Sequence, residues 1–404
     1  MVTSPSRLST DIVVVGAGPA GCMVAKTAAE LGVNVLLLEE HPVPGLPVFC
    51  GEAISEKTLT NAGLCPDPSI IAQSIIKSHI YTPNGKHVAI ENDHNRGYII
   101  NRHMFDAQLA ENAVTAGAKL MVNTRAVDVI KRGGVIAGVE AECHGESFPI
   151  WAKIVIGADG HSSMVRRSAL GIPYFKSFGV CAQYTLAGLN IEPDTIEIWI
   201  GRKYAPGGYA WVFPKSNSVA NVGVGVLAKH ATKPSIQYLQ DFINQDPKLS
   251  EGTIINKTGG ICPTTGTLDK IVGNGVMLVG DAAGQIIPMT GAGVETSIDA
   301  GKIAGAVAVK AIQKGNTSKA RLEEYPEIFN KRWGKIIDGS KKTLNLFDNL
   351  SDEDLNKISE VITPTQVQNL ANGERVIRSL VPLIFKAPQL ALKLVLNANI
   401  LYKP

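Results

Sequence analysis

A chain of 404 residues and 42.9 kDa is longer than the roughly 250–300 residues at which a single hydrophobic core stops growing, so two apposed cores are expected. Its 39 basic and 36 acidic side chains leave a net charge of +3, which excludes a nucleic-acid binder working by a basic surface. No run of about 18 apolar residues reads as a membrane span, and the polar MVTSPSRLST before the first strand does not read as a signal peptide.

Cys22, Cys50, Cys65, Cys143, Cys181 and Cys262 show neither a CxxC nor a metal-ligand spacing. No metal site is therefore expected. A reduced, cytoplasmic protein is the simplest reading, with five of the six thiols acting as small buried hydrophobes.

In chain order, the apolar run Ile12 to Val15 meets Gly16, Gly18 and Gly21. A helical stretch then leads to a second apolar run, Val33 to Leu38, closed by Glu39. This is strand, tight turn, helix, strand. Gly16 allows the turn, Gly18 lets a pyrophosphate approach the backbone, and Gly21 permits close packing of helix on strand. The helix N-terminus offers N–H groups and a positive dipole end to phosphates, and Glu39 can accept hydrogen bonds from an adenosine ribose. FAD and NAD are not distinguished by this stretch alone.

HPVPGLPVFCGEAIS, after the second strand, is too rich in Pro and Gly for a regular element, and a short helix is expected at 54–62. Residues 74–100 alternate weakly around a PNG turn and read as inserted β structure. Asn101 is positioned to cap an amphipathic helix over 101–116. A short strand is expected at 119–123, a hairpin around Gly133-Gly134, and a buried strand at 153–156. Residues 173–230 read as antiparallel strands with one wet and one apolar face. A helix near 234–243, a buried strand in IVGNGVMLVGDAAG, a long helix of small side chains over 293–314, and helical segments broken at TPTQV complete the chain.

The turns GADG (157–160) and GDAAG (280–284) each follow a strand and place an acid at a sheet's C-terminal edge, where cofactors bind in open α/β folds. Taken alone, either pair is an ordinary turn. GAGPAG with Glu39, the stretch Arg102-His103-Met104-Phe105-Asp106, GADG with Arg166, and GDAAG with Pro288 together resemble the flavoprotein fold of p-hydroxybenzoate hydroxylase, over residues 11–315. Within that fold the chain most resembles the geranylgeranyl reductase family and its archaeal digeranylgeranylglycerophospholipid reductase branch. PVFCGE (47–52) and YAWVFP followed by GVG (209–214 and 223–225) carry that narrower match.

The resemblance implies a mixed α/β, two-domain flavoprotein. Residues 8–73, 101–170 and 262–315 would form a discontinuous FAD-binding domain, 74–100 with 171–261 an antiparallel-sheet substrate domain, and 316–404 a helical C-terminal region. It implies that Gly16, Gly18, Pro19, Ala20, Gly21, Glu39 and Glu40 hold the ADP half of FAD, with Val127 near the adenine and Arg102 on the pyrophosphate or ribityl side. Asp159 and Gly160, then Gly280 and Asp281, would border the ribityl and phosphates. Cys50 and Gly51 would lie over the flavin ring, with Pro288, Gly291 and Gly293 running along it.

The implied reaction is reduction of isolated double bonds in the chains of an isoprenoid ether lipid. Ferredoxin, reduced deazaflavin or NAD(P)H would be the electron donor; the chain has no second GxGxxG to point to a nicotinamide site. An isolated alkene has no carbonyl to polarise, so a hydride must be matched by a proton. Cys50 is the candidate donor, a group that positions the alkene, or a structural residue: an ordinary thiol, with a pKa of about 8.5, is mostly protonated at neutral pH. Tyr209, Trp211 and Phe213 share one face of a strand and suit either a hydrocarbon lining or sheet core. His41 and His103 read as turn and helix-surface residues. A monomer is expected. The basic, apolar tail with Lys386, Lys393 and Lys403 could rest on an anionic membrane, close the lipid channel or pack on the core. The alternatives are a flavin monooxygenase or dehydrogenase of another hydrophobic substrate, and a flavin-containing lipid carrier.

Overall fold

The computed structural model describes residues 8–91, 96–375 and 378–379. Among them the strands assort into three sheets, of eight, seven and three strands. The largest contains β1, Leu8–Val15, followed by helix α1, Pro19–Glu30, and β2, Val35–Leu38. Ile12, Val13 and Val14 are fully buried, with α1 packed on β1 and β2, and these parallel strands carry no polar alternation. The strand Glu146–Gly157 runs parallel to β1, and its first half also pairs with the hairpin formed by Thr124–Arg132 and Val135–Cys143.

Register brings the strand ends together. Val15 is level with Leu38 on one side and Gly157 on the other, and Gly157 is level with Leu278. The turns after all four strands therefore meet at one sheet edge. The long helix Val294–Gln313 is built of small residues because it lies directly against α1: a Cβ on Gly301 would fall 2.4 Å from the Ala20 carbonyl oxygen. The stretch around Asn274-Gly275, expected as a single strand, is a short hairpin of Val272–Gly273 and Val276–Leu278.

The seven-stranded sheet runs Thr253–Pro263, Phe178–Ala187, Val219–Leu227, Tyr209–Pro214, Thr195–Ile200, Lys77–Tyr81 and His87–Glu91. Its pairings are antiparallel except between Thr195–Ile200 and Lys77–Tyr81. The expected wet face is absent over its central strands. One face, with Tyr184, Val212 and Val224, packs under Leu239 and Phe242 of the helix Ser235–Gln245, and the other faces an internal cavity. Alternation along these strands thus separates two apolar environments instead of core from water. Residues 74–100 divide between sheets. The PNG hairpin joins the large sheet, while Gly97–Ile100 lies between Ala53–Ser55 and Ile71–Ile75 and pairs with both in the smallest one.

The helix Arg102–Thr115 begins after Asn101, whose side chain does not cap it but donates to the Ser69 carbonyl at 3.1 Å. The Arg102 N–H is taken instead by the Glu52 carboxylate at 2.8 Å. Past residue 318 the chain is helical, ending in Lys335–Phe347, Asp352–Ser359 and Pro364–Ala371. TPTQV interrupts the helical period because Thr363 and Gln366 form a reciprocal cap that starts the last of these helices. The tail containing Lys386, Lys393 and Lys403 lies outside the described residues.

Candidate active site

At the edge where the four strands end, Gly16 has φ +99°, and a Cβ there would lie 2.5 Å from the Ala158 carbonyl oxygen. No larger residue fits. A Cβ on Gly21 would fall 1.9 Å from the Gly16 oxygen, so α1 sits tightly on its strand. Gly18, at the N-cap of α1, has no side chain to cap the first turn, which leaves the N–H groups of that turn for a ligand. Glu39 accepts from the Ala17 N–H at 3.0 Å, and its other oxygen accepts the His41 N–H at 3.0 Å and lies 2.7 Å from His41 Nδ1. His41, expected to be only a turn residue, therefore helps to orient this carboxylate.

Asp159 is committed to its own turn, accepting from Ser163 Oγ at 2.5 Å and from the Val165 N–H at 3.0 Å. Burial pushes its carboxyl above the ordinary value against those bonds. Arg166, fully buried, donates to the carbonyls of His161 at 2.8 Å and Ala282 at 3.2 Å, tying the GADG turn to the GDAAG turn. Asp281 faces the cavity, and burial pushes its carboxyl up to about 6 against the attraction of Arg102. Burial also works against the Arg102 cation, but the Asp106 carboxylate at 2.8 Å favours it and keeps the guanidinium charged.

Cys50, Gly51 and Glu52 are pinned atom by atom. Gln183 Nε2 donates to the Cys50 carbonyl at 3.1 Å, Asn221 Nδ2 to the Gly51 carbonyl at 3.3 Å, and the Glu52 N–H to Cys50 Sγ at 3.2 Å. A Cβ on Gly51 would touch the Phe213 ring at 3.0 Å. Trp211 donates to Gln183 Oε1 at 2.9 Å, and Tyr209 to the Thr290 carbonyl at 2.5 Å, so the aromatic strand holds both the Cys50 loop and the segment Pro288 to Gly293. Trp211 and Phe213 are only 7% and 8% exposed; they serve as packing and as lining together. Only Cys22 of the six thiols is buried as a small hydrophobe. Cys181 and Cys262 border the cavity.

One cavity of about 1570 Å³ is bordered by every residue expected in the site except Gly21, which packs behind it. Beyond the aromatic strand its walls become aliphatic: Ile196, Ile198 and Ile200 from the sheet face Phe347, Leu355 and Ile358 from the C-terminal helices. Those helices are clipped on by polar residues four apart. Asp348 meets Lys229 and His230, Asp352 accepts the N–H groups of Arg202 and Lys203 at 2.6 and 3.0 Å, Asn356 accepts that of Asn84 at 3.1 Å, and Glu360 pairs with Lys86 at 3.0 Å. Sequence reading left the role of the C-terminal helical region open; the spacing of Asp352, Asn356 and Glu360 along one helix was the signal that would have placed a polar stripe opposite an apolar one.

An uncapped helix N-terminus, a buried guanidinium and two carboxylates at opposite ends of a long cleft fit FAD. Residues 11–175 match the FAD dependent oxidoreductase family, and residues 178–262 match the geranylgeranyl reductase catalytic domain. A digeranylgeranylglycerophospholipid reductase of Methanosarcina acetivorans is 39% identical over 97% of this chain and 96% of its own. A geranylgeranyl bacteriochlorophyll reductase-like protein from Thermoplasma acidophilum superposes with a TM-score of 0.86 at 30% identity, covering 97% of this chain and 100% of that one. A flavin-dependent brominase, 18% identical with a TM-score of 0.72 over 94% of this chain and 98% of its own, shares the fold alone.

Proposed function

This chain belongs to the digeranylgeranylglycerophospholipid reductase family, and on that premise we propose that it saturates isolated double bonds in the geranylgeranyl chains of archaeal ether phospholipids. It is an FAD-dependent oxidoreductase. When bound and reduced, FAD supplies a hydride. The protein's residues bind, orient and protonate. We assign the ADP half to Gly16 through Gly21 with Glu39, Glu40 and Val127, and the pyrophosphate and ribityl region to Arg102, Asp159, Gly160, Gly280 and Asp281. Pro288, Gly291 and Gly293, with Cys50 and Gly51, would border the ring.

The observation that carries this reading is continuity: one cavity leads from the glycine turns past Cys50 and the aromatic strand into aliphatic walls. That sequence of surfaces suits a polar cofactor followed by a long hydrocarbon. The alkene is held by Tyr209, Trp211 and Phe213, and the Cys50 thiol gives a proton to the carbon next to the one that receives hydride, so the two new C–H bonds balance. Reducing equivalents come from ferredoxin, reduced deazaflavin or NAD(P)H. No helix among the described residues is long and apolar enough to cross a membrane, and the lipid is reached by peripheral contact.

Narrowing the aliphatic end tests the reading. Ile198→Trp is expected to lower kcat/KM for the lipid about tenfold or more while leaving FAD titration unchanged, measured by steady-state assay beside flavin absorbance. Unchanged lipid kinetics would put the hydrocarbon elsewhere.

A further inference from the structure

Glu52 is the part of PVFCGE that the chemistry above does not use. Its backbone has φ +72°, and among the described residues the other non-glycine positions with positive φ, Asn123, His144 and Arg375, are all exposed. Glu52 is 5% exposed. A left-handed conformation is strained for a residue with a Cβ, and it persists only where the surroundings over-determine it.

The surroundings do so through the carboxylate. One oxygen accepts the Arg102 N–H at 2.8 Å, and the other accepts Lys215 Nζ and Asn221 Nδ2, each at 2.6 Å. These partners come from three separate parts of the fold: the start of the helix that carries Arg102, the residue just after the aromatic strand, and the neighbouring strand Val219–Leu227. The Glu52 carbonyl accepts the Ile100 N–H at 2.9 Å, and the Glu52 N–H reaches Cys50 Sγ. Every anchor thus acts on a residue two positions from the thiol, and that strained residue is the one in contact with it.

We propose that Glu52 is the positioning residue of the Cys50 thiol, with Lys215 and Asn221 as its anchors and the Arg102 helix as the element it aligns with that thiol. The inference rests on the reading of Cys50 as the proton donor. Glu52 does not touch the alkene; it acts by setting where the sulfur stands.

Glu52→Gln keeps the shape and an acceptor for Arg102 N–H but turns an amide N–H₂ toward Lys215 and Asn221. In Glu52→Gln/Lys215→Gln the second amide restores an acceptor. Two readouts are taken on purified holoenzyme: kcat and KM for lipid, and peptide-resolved alkylation of Cys50 by iodoacetamide. For Glu52→Gln, kcat is expected to fall by about a hundredfold with KM nearly unchanged, as for a misplaced reacting group. Cys50 alkylates several-fold faster because its loop is released, and the double variant recovers much of both. A kcat and an alkylation rate within about twofold of wild type, or a loss of kcat that tracks lost FAD, overturns the proposal. Cys50→Ala keeps the two ideas separate. If it leaves kcat intact, the proton-donor reading fails, while the alkylation rate still decides whether Glu52 holds the thiol.

Discussion

Cys50→Ala is expected to slow reoxidation of the reduced protein by an unsaturated lipid by about 10²–10⁴-fold, the usual worth of a positioned general acid. FAD content should stay near that of wild type. The expectation follows from placement. Cys50 lies on the cavity wall and receives a backbone N–H at its sulfur. Among the other acids nearby, burial pushes the Cys181 thiol up to about 11, the Cys262 thiol well above its ordinary range, and the Tyr209 hydroxyl up as well. Tyr209 is further committed to the Thr290 carbonyl. Anaerobic stopped-flow absorbance measures the rate, and flavin released on denaturation measures content. Loss of both in equal proportion would make Cys50 a structural residue.

Asp281→Asn should move stability and affinity in opposite directions. Burial raises the folded-state pKa of Asp281 from 3.8 to about 6. A raised carboxyl contributes stability that is fully present below the unfolded pKa and is lost as pH rises through the folded one, here between about pH 4 and 6. At neutral pH the flavin-stripped protein therefore holds an unfavourable buried charge. The asparagine variant, lacking it, should be more stable by on the order of 1–3 kcal/mol at pH 7 and nearly equal to wild type at about pH 3.5. FAD binding should weaken about tenfold to a hundredfold, because a charged acceptor for the cofactor's hydroxyls is replaced by a neutral one. Urea titrations of the stripped protein at the two pH values, beside FAD titrations, check both halves. A variant that loses stability and affinity together would contradict the assignment.

The local signals that survive into the fold are those whose physics is local. Gly16 needs its positive φ, the apolar runs of β1 and β2 need two covered faces, and the PNG and Gly133-Gly134 turns close hairpins. What escaped reading depends on partners far away in sequence. Asn101 looked like a cap by its type, yet Glu52, brought in from another segment, takes the helix N–H. The alternation over 173–230 implied water on one face because periodicity reports only that two faces differ; here the second face is a cavity wall. Cys181 was indistinguishable from a core thiol, since nothing in its neighbourhood announces that residue 260 opposite it is a glycine. The pinning of Cys50 by Gln183 and Asn221 likewise spans 133 and 170 residues, beyond any local pattern.

One experiment tests the whole path from the first glycine turn to the aliphatic end of the cavity. Protein reduced anaerobically with dithionite is given a digeranylgeranyl glycerophospholipid, and the extracted lipid is weighed by mass spectrometry. Products heavier by two hydrogens for each bond saturated, in amounts matching the flavin reoxidised, are the expected result. Unchanged lipid, or hydroxylated product once oxygen is admitted, would contradict it.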